Sequence, residues 1–146
     1  MDDGTILFVL SQSGETADTL GALREAKRRG HPALAIVNTV GSTIAREADG
    51  GIYLHAGPEV GVASTKAFSA QVMVLTLLAL HLARLRHLSF ADGLKIIDAI
   101  ESAPDFVAQA LAIEPQVVAA AERVAKARSV LYLGRDLHYP TALEGA

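Results

Sequence analysis

The chain has 146 residues, 51% of them hydrophobic, and its 13 Lys and Arg against 16 Asp and Glu give a formal net charge of −3. This length supports one domain with a substantial core. The slightly acidic balance, without an evident basic face, argues against nucleic acid as a partner. The absence of cysteine excludes disulfides, thiol nucleophiles and cysteine-ligated metals. The acidic start lacks signal-peptide features, so a cytoplasmic location is expected.

The first half of the chain alternates apolar runs with helical patterns. The pattern predicts an amphipathic helix over residues 17–29, ended by Gly30, and a short helix up to residue 48 behind a candidate N-cap at Ser42. Strands are expected at residues 6–10, Ala33–Val37 and 52–55. Continuous apolar strands are typical of sheets covered on both faces, and their alternation with helices indicates a doubly wound parallel sheet of the α/β class.

A polar loop, the first loop, joins the first predicted strand to the first helix. It reads Ser11-Gln12-Ser13-Gly14-Glu15-Thr16. Unpaired N–H groups and the dipole at a helix N-terminus attract anions, while the hydroxyl and amide side chains add donors and Gly14 permits close approach of the backbone. The expected ligand is a phosphate monoester. A plain helix cap made by Thr16 or Ser13 is the alternative, although one cap needs one hydroxyl and this loop has three.

A second polar loop, residues 56–66, follows the third predicted strand and opens a long helix that extends to about residue 87. This second loop contains two glycines, two hydroxyls, Glu59 and Lys66. Ligands of open α/β sheets lie at the carboxyl ends of strands, so we expect the two loops side by side. Polar residues interrupt the apolar stretch at residues 67–85, which favours a buried helix over a membrane span.

The second half of the chain is predicted to be mainly helical. Helices are expected at residues 90–99, 106–111 and 115–127. Ser89 caps the first of these, and Ala103-Pro104 separates it from the second. A fourth strand is expected at residues 129–133, followed by a glycine turn and the start of a further helix.

Three stretches resemble the glucosamine-6-phosphate synthase family, the isomerising glutamine–fructose-6-phosphate aminotransferases. They are residues 11–20 (SQSGETADTL), 59–68 (EVGVASTKAF) and 139–146 (YPTALEGA). The match is to the family's sugar-isomerase (SIS) half, which implies two flavodoxin-like, three-layer SIS domains with parallel sheets. The chain is then expected to be a fragment. Residues 1–88 would form the latter part of an incomplete first SIS domain, 89–128 a helical connector and 129–146 the start of a second SIS domain.

The resemblance implies a sugar-phosphate site without a metal or cofactor. The matching substrate-binding positions are Ser11, Gln12, Ser13 and Thr16 for the phosphate, with Val62 and Ser64 in the loop that contacts the sugar. Glu59 and Lys66 match the motif without an assigned role. No catalytic residue is expected here, because the family's catalytic glutamate, histidine and lysine match no position of this sequence.

These features lead to one functional hypothesis and two alternatives. In the first, the chain belongs to an amino-sugar biosynthetic transferase that makes glucosamine 6-phosphate from fructose 6-phosphate and glutamine. The chain supplies phosphosugar binding and is inactive alone. The parent enzyme is expected to be a cytoplasmic homodimer that binds neither nucleic acid nor membrane. The alternatives are a non-catalytic SIS module that senses a phosphosugar, and a related SIS isomerase or deglycase.

Overall fold

The computed structural model describes every residue except Met1, Asp3, Val62 and Ala63. The chain divides into two compact units, Met1–Ile96 and Ile97–Ala146. The elements in chain order are β1 (Leu7–Ser11), α1 (Ala17–Arg28), β2 (Ala33–Val37), α2 (Thr43–Glu47), β3 (Gly50–Tyr53), α3 (Lys66–Arg84), α4 (Phe90–Ala112), α5 (Glu114–Val124) and α6 (His138–Gly145).

A three-stranded parallel sheet with the order β1-β2-β3 lies in the first unit. Ser11 pairs with Val37, and Val37 pairs with Tyr53, so the three strands end at the same level. This arrangement confirms the α/β class and the parallel sheet that the alternating pattern predicted. It also brings the loops that follow β1, β2 and β3 to one end of the sheet.

Strand β3 begins two residues earlier than predicted, at Gly50, and ends at Tyr53. Gly50 and Gly51 therefore lie inside the strand rather than before it. In the structure a Cβ added at Gly51 would lie 3.0 Å from the carbonyl carbon of Ala35 and closer still to its oxygen. Glycine therefore allows β3 to approach β2 closely, which is a reason for glycine inside a strand.

The buried core of this unit joins the sheet to helices α1 and α2. Ala33, Ala35 and Val37 alternate along β2 and therefore face the same side of the sheet. The core cluster consists of Val9, Leu23, Ala33, Ala35, Val37 and Ile44. Full burial of a large aliphatic side chain contributes about 1.5–3 kcal/mol, so this packing fixes the two helices whose N-termini meet the loops.

Helix α3 is exposed over most of its surface, so the prediction of a buried helix is wrong. Ala67 is its one buried residue, because the helix carries apolar side chains on several faces and the described part of the first unit covers few of them. By length and composition, α3 alone among the helices of the described residues could cross a membrane. That is weak support for a span, since core helices of soluble proteins meet the same criterion.

Helix α4 runs without interruption through Pro104, where the sequence predicted a break. Proline removes one backbone donor, yet the helix continues through it on both sides. The predicted cap is confirmed, since the Ser89 hydroxyl accepts the N–H of Asp92 at 3.1 Å. Pro115 also lies in the first turn of α5, as expected.

Residues 129–133 form no strand, contrary to the prediction. A strand needs a neighbouring strand to pair its backbone groups, and the regular elements among the described residues of the second unit are all helices. Leu131 and Leu133 are accordingly 84% and 88% exposed. The apolar composition that suggested a strand is not accompanied by burial here.

Candidate functional site

The first loop turns back on itself after β1. The buried Ser11 hydroxyl accepts the N–H of Gly14 at 3.0 Å and shares a hydrogen bond with the Thr16 hydroxyl at 3.0 Å. Ser13 accepts the N–H of Glu15 at 3.1 Å. Thr16 is exposed and Ser13 is half-buried, so these two hydroxyls remain accessible while Ser11 organises the turn from inside. All four residues predicted for the phosphate lie in this single loop.

The N-terminus of α1 has no side-chain cap. Thr16 is the N-cap residue by position, yet it makes no capping hydrogen bond, and Ser13 bonds an amide that precedes the helix. The alternative in which these hydroxyls merely cap the helix is therefore wrong. The first-turn N–H groups of a helix have no intrahelical partner, so they are available to an anion. Asp18, in the same turn, is an exposed acidic residue whose negative charge disfavours anion binding.

Gly14 contacts protein rather than leaving room for a ligand. Its φ is +68°, and an added Cβ would lie 2.5 Å from the Ser42 Cβ and even nearer the hydroxyl. The Gly14 carbonyl accepts the N–H of Ile44 at 3.0 Å. The expectation that Gly14 serves close approach to a ligand is thus corrected, because the space beside it is filled by Ser42 at the start of α2.

Glu15 extends the same connection to α2. Its carboxylate accepts the N–H of Thr43 at 2.7 Å, at the first position of that helix. This hydrogen bond, followed by the Thr43 side chain and then by the charge of Arg46, lowers the pKa of Glu15 below its usual value. The sequence assigned no role to Glu15, although a carboxylate is favourable at a helix N-terminus.

In the second loop, Glu59 organises the start of α3. Its carboxylate accepts the N–H and the hydroxyl of Thr65 at 2.7 and 2.9 Å, and the hydroxyl of Ser64 at 3.0 Å. These bonds, led by the Thr65 N–H, lower the pKa of Glu59. Ser64 is thus held by a carboxylate, while Lys66 is exposed. Val62, the other predicted sugar contact, lies outside the described residues.

Asn38, which directly follows β2, joins the two loops. Its side chain accepts the N–H of Ala56 at 2.9 Å and donates to the carbonyl of Gly57 at 2.7 Å. Its backbone N–H donates to the Gln12 carbonyl at 3.3 Å. The expected proximity of the loops is therefore observed. Asn38 was not among the predicted site residues, because its one signal in the sequence is a polar residue at a strand end.

A small cavity of about 90 Å³ lies elsewhere in this unit, against β2 and β3. Its lining is mainly apolar and includes Ala35, Val37, Ala45 and Tyr53. A phosphate needs several donors and positive potential, and this lining includes no Lys, Arg or His. The two loops at the strand ends remain the candidate site.

The fold and this site define a parallel α/β domain that presents polar loops at the carboxyl ends of its strands, where ligands of such sheets usually bind. The SIS domain family model matches residues 1–81, and the chain belongs to this family.

The relatives of the chain agree with the motif resemblance. The glutamine–fructose-6-phosphate aminotransferase (isomerising) of Corynebacterium glutamicum is 48% identical over 147 residues, covering 100% of this chain and 24% of the relative. The chain thus spans about a quarter of the length of its curated relatives. Similarity to the isomerase half of this enzyme family is confirmed.

Solved structures give the same result. The C-terminal domain of the glucosamine-fructose-6-phosphate aminotransferase of Francisella tularensis has a TM-score of 0.94 and 36% identity, over 100% of this chain and 42% of that one. A putative phosphosugar isomerase of Clostridium difficile has a TM-score of 0.62 and 25% identity, over 70% of this chain and 31% of that one.

Proposed function

We propose that this chain supplies the phosphosugar-binding loops of an isomerising glutamine–fructose-6-phosphate aminotransferase. The substrate class is a sugar 6-phosphate, fructose 6-phosphate or glucosamine 6-phosphate. One observation carries the proposal, namely the accessible hydroxyls of Ser13 and Thr16 beside a helix N-terminus that no side chain caps. The names of the similar proteins indicate which anion such a loop would bind.

In the proposed complex the phosphate lies at the N-terminus of α1. The first-turn N–H groups and the helix dipole attract the dianion. Ser13 and Thr16 donate their hydroxyls, Gln12 donates its amide, and Ser11 holds Thr16 in place. Exposed interactions with a helix end contribute only ~0.3–1 kcal/mol each, so several donors must act together for useful affinity.

The second loop is proposed to bind the body of the sugar. The Ser64 hydroxyl already donates to Glu59, which leaves its oxygen lone pairs free to accept from a sugar hydroxyl. The resemblance assigns a backbone contact to Val62. The hydrogen bonds of Asn38 hold the two loops close enough to serve one small ligand.

We assign no proton-transfer step to this chain. Isomerising amination requires an imine at a carbonyl carbon and a positioned base that moves a proton between adjacent carbons. In the proposal, those groups come from other parts of a cytoplasmic homodimer, and the chain alone is inactive. The chain's share of about a quarter of its relatives' length is compatible with this division of roles.

Calorimetric titration tests the proposal. Glucosamine 6-phosphate should bind, whereas glucosamine, which lacks the phosphate, should not. Ser13→Ala should weaken binding about tenfold, because one hydrogen bond to a charged group is lost. Ser129→Ala, exposed and remote in sequence, should leave affinity unchanged. Equal binding of both sugars, or none by folded protein, would contradict the proposal.

A further inference from the structure

The carbonyl and the amino group of the Asn38 side chain both form hydrogen bonds with the second loop. Its carbonyl oxygen accepts from Ala56, and its amide nitrogen donates to Gly57. Its own N–H and that of Thr39 both reach the Gln12 carbonyl of the first loop at 3.3 Å. One residue at the end of β2 thereby contacts both loops.

The chemistry of a primary amide suits this position. The backbone presents an N–H at Ala56 and a carbonyl at the adjacent Gly57, and only a group with an acceptor and a donor side by side satisfies both. The local backbone is specialised for this geometry, since His55 and Gly57 have φ values of +53° and +76°. A carboxylate could accept from Ala56 but could not donate to Gly57.

The two loops have different anchors. The first loop is fixed to α2 through Glu15 and Gly14. The described part of the second loop before Glu59 is fixed to the end of the sheet through the hydrogen bonds of Ala56 and Gly57 with Asn38. Loss of the Asn38 side chain should therefore release the second loop and leave the first intact.

We propose that Asn38 is a positioning residue that sets the distance between the two loops, and so determines selectivity for a sugar phosphate over phosphate alone. This assignment rests on the proposed function. The first loop recognises the phosphate, and the second recognises the sugar. Asn38 touches neither part of the ligand and acts by placing one loop relative to the other.

The test compares Asn38→Leu, which has similar size but cannot form hydrogen bonds, with Gln109→Leu as the matched control, the same kind of change at an exposed amide of α4. Each is titrated with glucosamine 6-phosphate and with inorganic phosphate. Asn38→Leu should lose about tenfold in affinity for glucosamine 6-phosphate, corresponding to two lost hydrogen bonds of ordinary strength. Its affinity for inorganic phosphate and both affinities of Gln109→Leu should match the unmodified chain.

Three results would overturn this assignment. If Asn38→Leu keeps its affinity for glucosamine 6-phosphate, the positioning role of Asn38 is contradicted, while the proposed function is not. An equal loss for both ligands shows that Asn38 supports the whole sheet end rather than the second loop. Failure of the unmodified chain to bind glucosamine 6-phosphate contradicts the proposed function, and the positioning role with it.

Amide hydrogen exchange gives a readout without ligand. In Asn38→Leu the Ala56 amide should exchange faster, whereas Leu54, whose N–H bonds the Val37 carbonyl at 2.9 Å, should be unaffected. Asn38→Asp keeps an acceptor and should preserve Ala56 protection even if the leucine variant folds poorly. Unaltered Ala56 exchange in Asn38→Leu would overturn the assignment.

Discussion

The carboxylate of Glu15 accepts the backbone N–H of Thr43 at 2.7 Å, and so joins the loop before α1 to the first turn of α2. The neighbouring hydrogen bond from Ile44 to the Gly14 carbonyl strengthens the same connection. A loop held in this way is ordered before any ligand arrives. Preorganisation of this kind lowers the entropy lost on binding.

The Glu15 connection should make stability depend on pH. In the folded chain, hydrogen bonding to Thr43 lowers the pKa of Glu15 below its usual value of 4.5. Folding therefore favours the ionised form of Glu15. Its contribution is therefore present above pH 4.5 and is lost as the pH falls through the lowered folded value. Glu15→Gln should flatten the pH dependence of the urea unfolding midpoint in this acidic range.

The control for that experiment is Glu122→Gln, a change of the same type on an exposed residue of α5. Its unfolding midpoint should follow the unmodified chain at every pH. Identical pH profiles for Glu15→Gln and the unmodified chain would show that ionisation of Glu15 is not coupled to folding.

Gly14→Ala should destabilise the chain by about 1–3 kcal/mol. The residue adopts φ +68°, and the new Cβ would lie within contact distance of Ser42. The free energy of unfolding, measured with urea, checks this. Gly21→Ala is the matched control, because nothing lies within 4 Å of its added Cβ in α1, and it should stabilise by about 0.5–1 kcal/mol.

A second change separates strain from steric overlap at Gly14. Ser42→Gly removes the side chain that an alanine at position 14 would meet, so the double variant should recover part of the lost free energy. If the effects of the two single changes on the free energy of unfolding simply add, the left-handed backbone, rather than the contact with Ser42, causes most of the destabilisation by Gly14→Ala.

Helix α3 should promote self-association of the isolated chain. Phe68, Val72 and Leu75 share one face at helical spacing and are exposed, and exposed apolar patches favour association. Light scattering should show a mass that rises with concentration. Val72→Glu with Leu75→Glu should reduce it, whereas Gln109→Glu with Gln116→Glu, which add equal charge elsewhere, should have less effect. A monodisperse monomer at all concentrations would contradict this expectation.

The sequence predicted the elements whose signals are local. The uninterrupted apolar run Ala33–Val37 became β2 with the predicted bounds, and the helix after the first loop begins where its pattern begins, at Ala17. Residues 129–133 are also mainly apolar, yet no strand forms, because pairing depends on a partner strand that composition does not reveal.

The connections of the candidate site were harder to foresee because they are distant in sequence. Asn38 bonds residues 18 and 19 positions away, and Glu15 bonds one 28 positions away. Gly14 was predicted to face a ligand, but it contacts Ser42. These two residues are distant in sequence and become neighbours only when the chain folds. Motif spacing therefore identified the loops but not the contacts that hold them.

Backbone amide NMR shows directly whether the first loop and the N-terminus of α1 bind a sugar phosphate. Glucosamine 6-phosphate should shift the amide signals of residues 13–19 in a saturable way, and the shifts should weaken as added salt screens the charge. Glucosamine should leave those signals unchanged. Shifts confined to other regions, or equal shifts with both sugars, would contradict a phosphate site at this helix end.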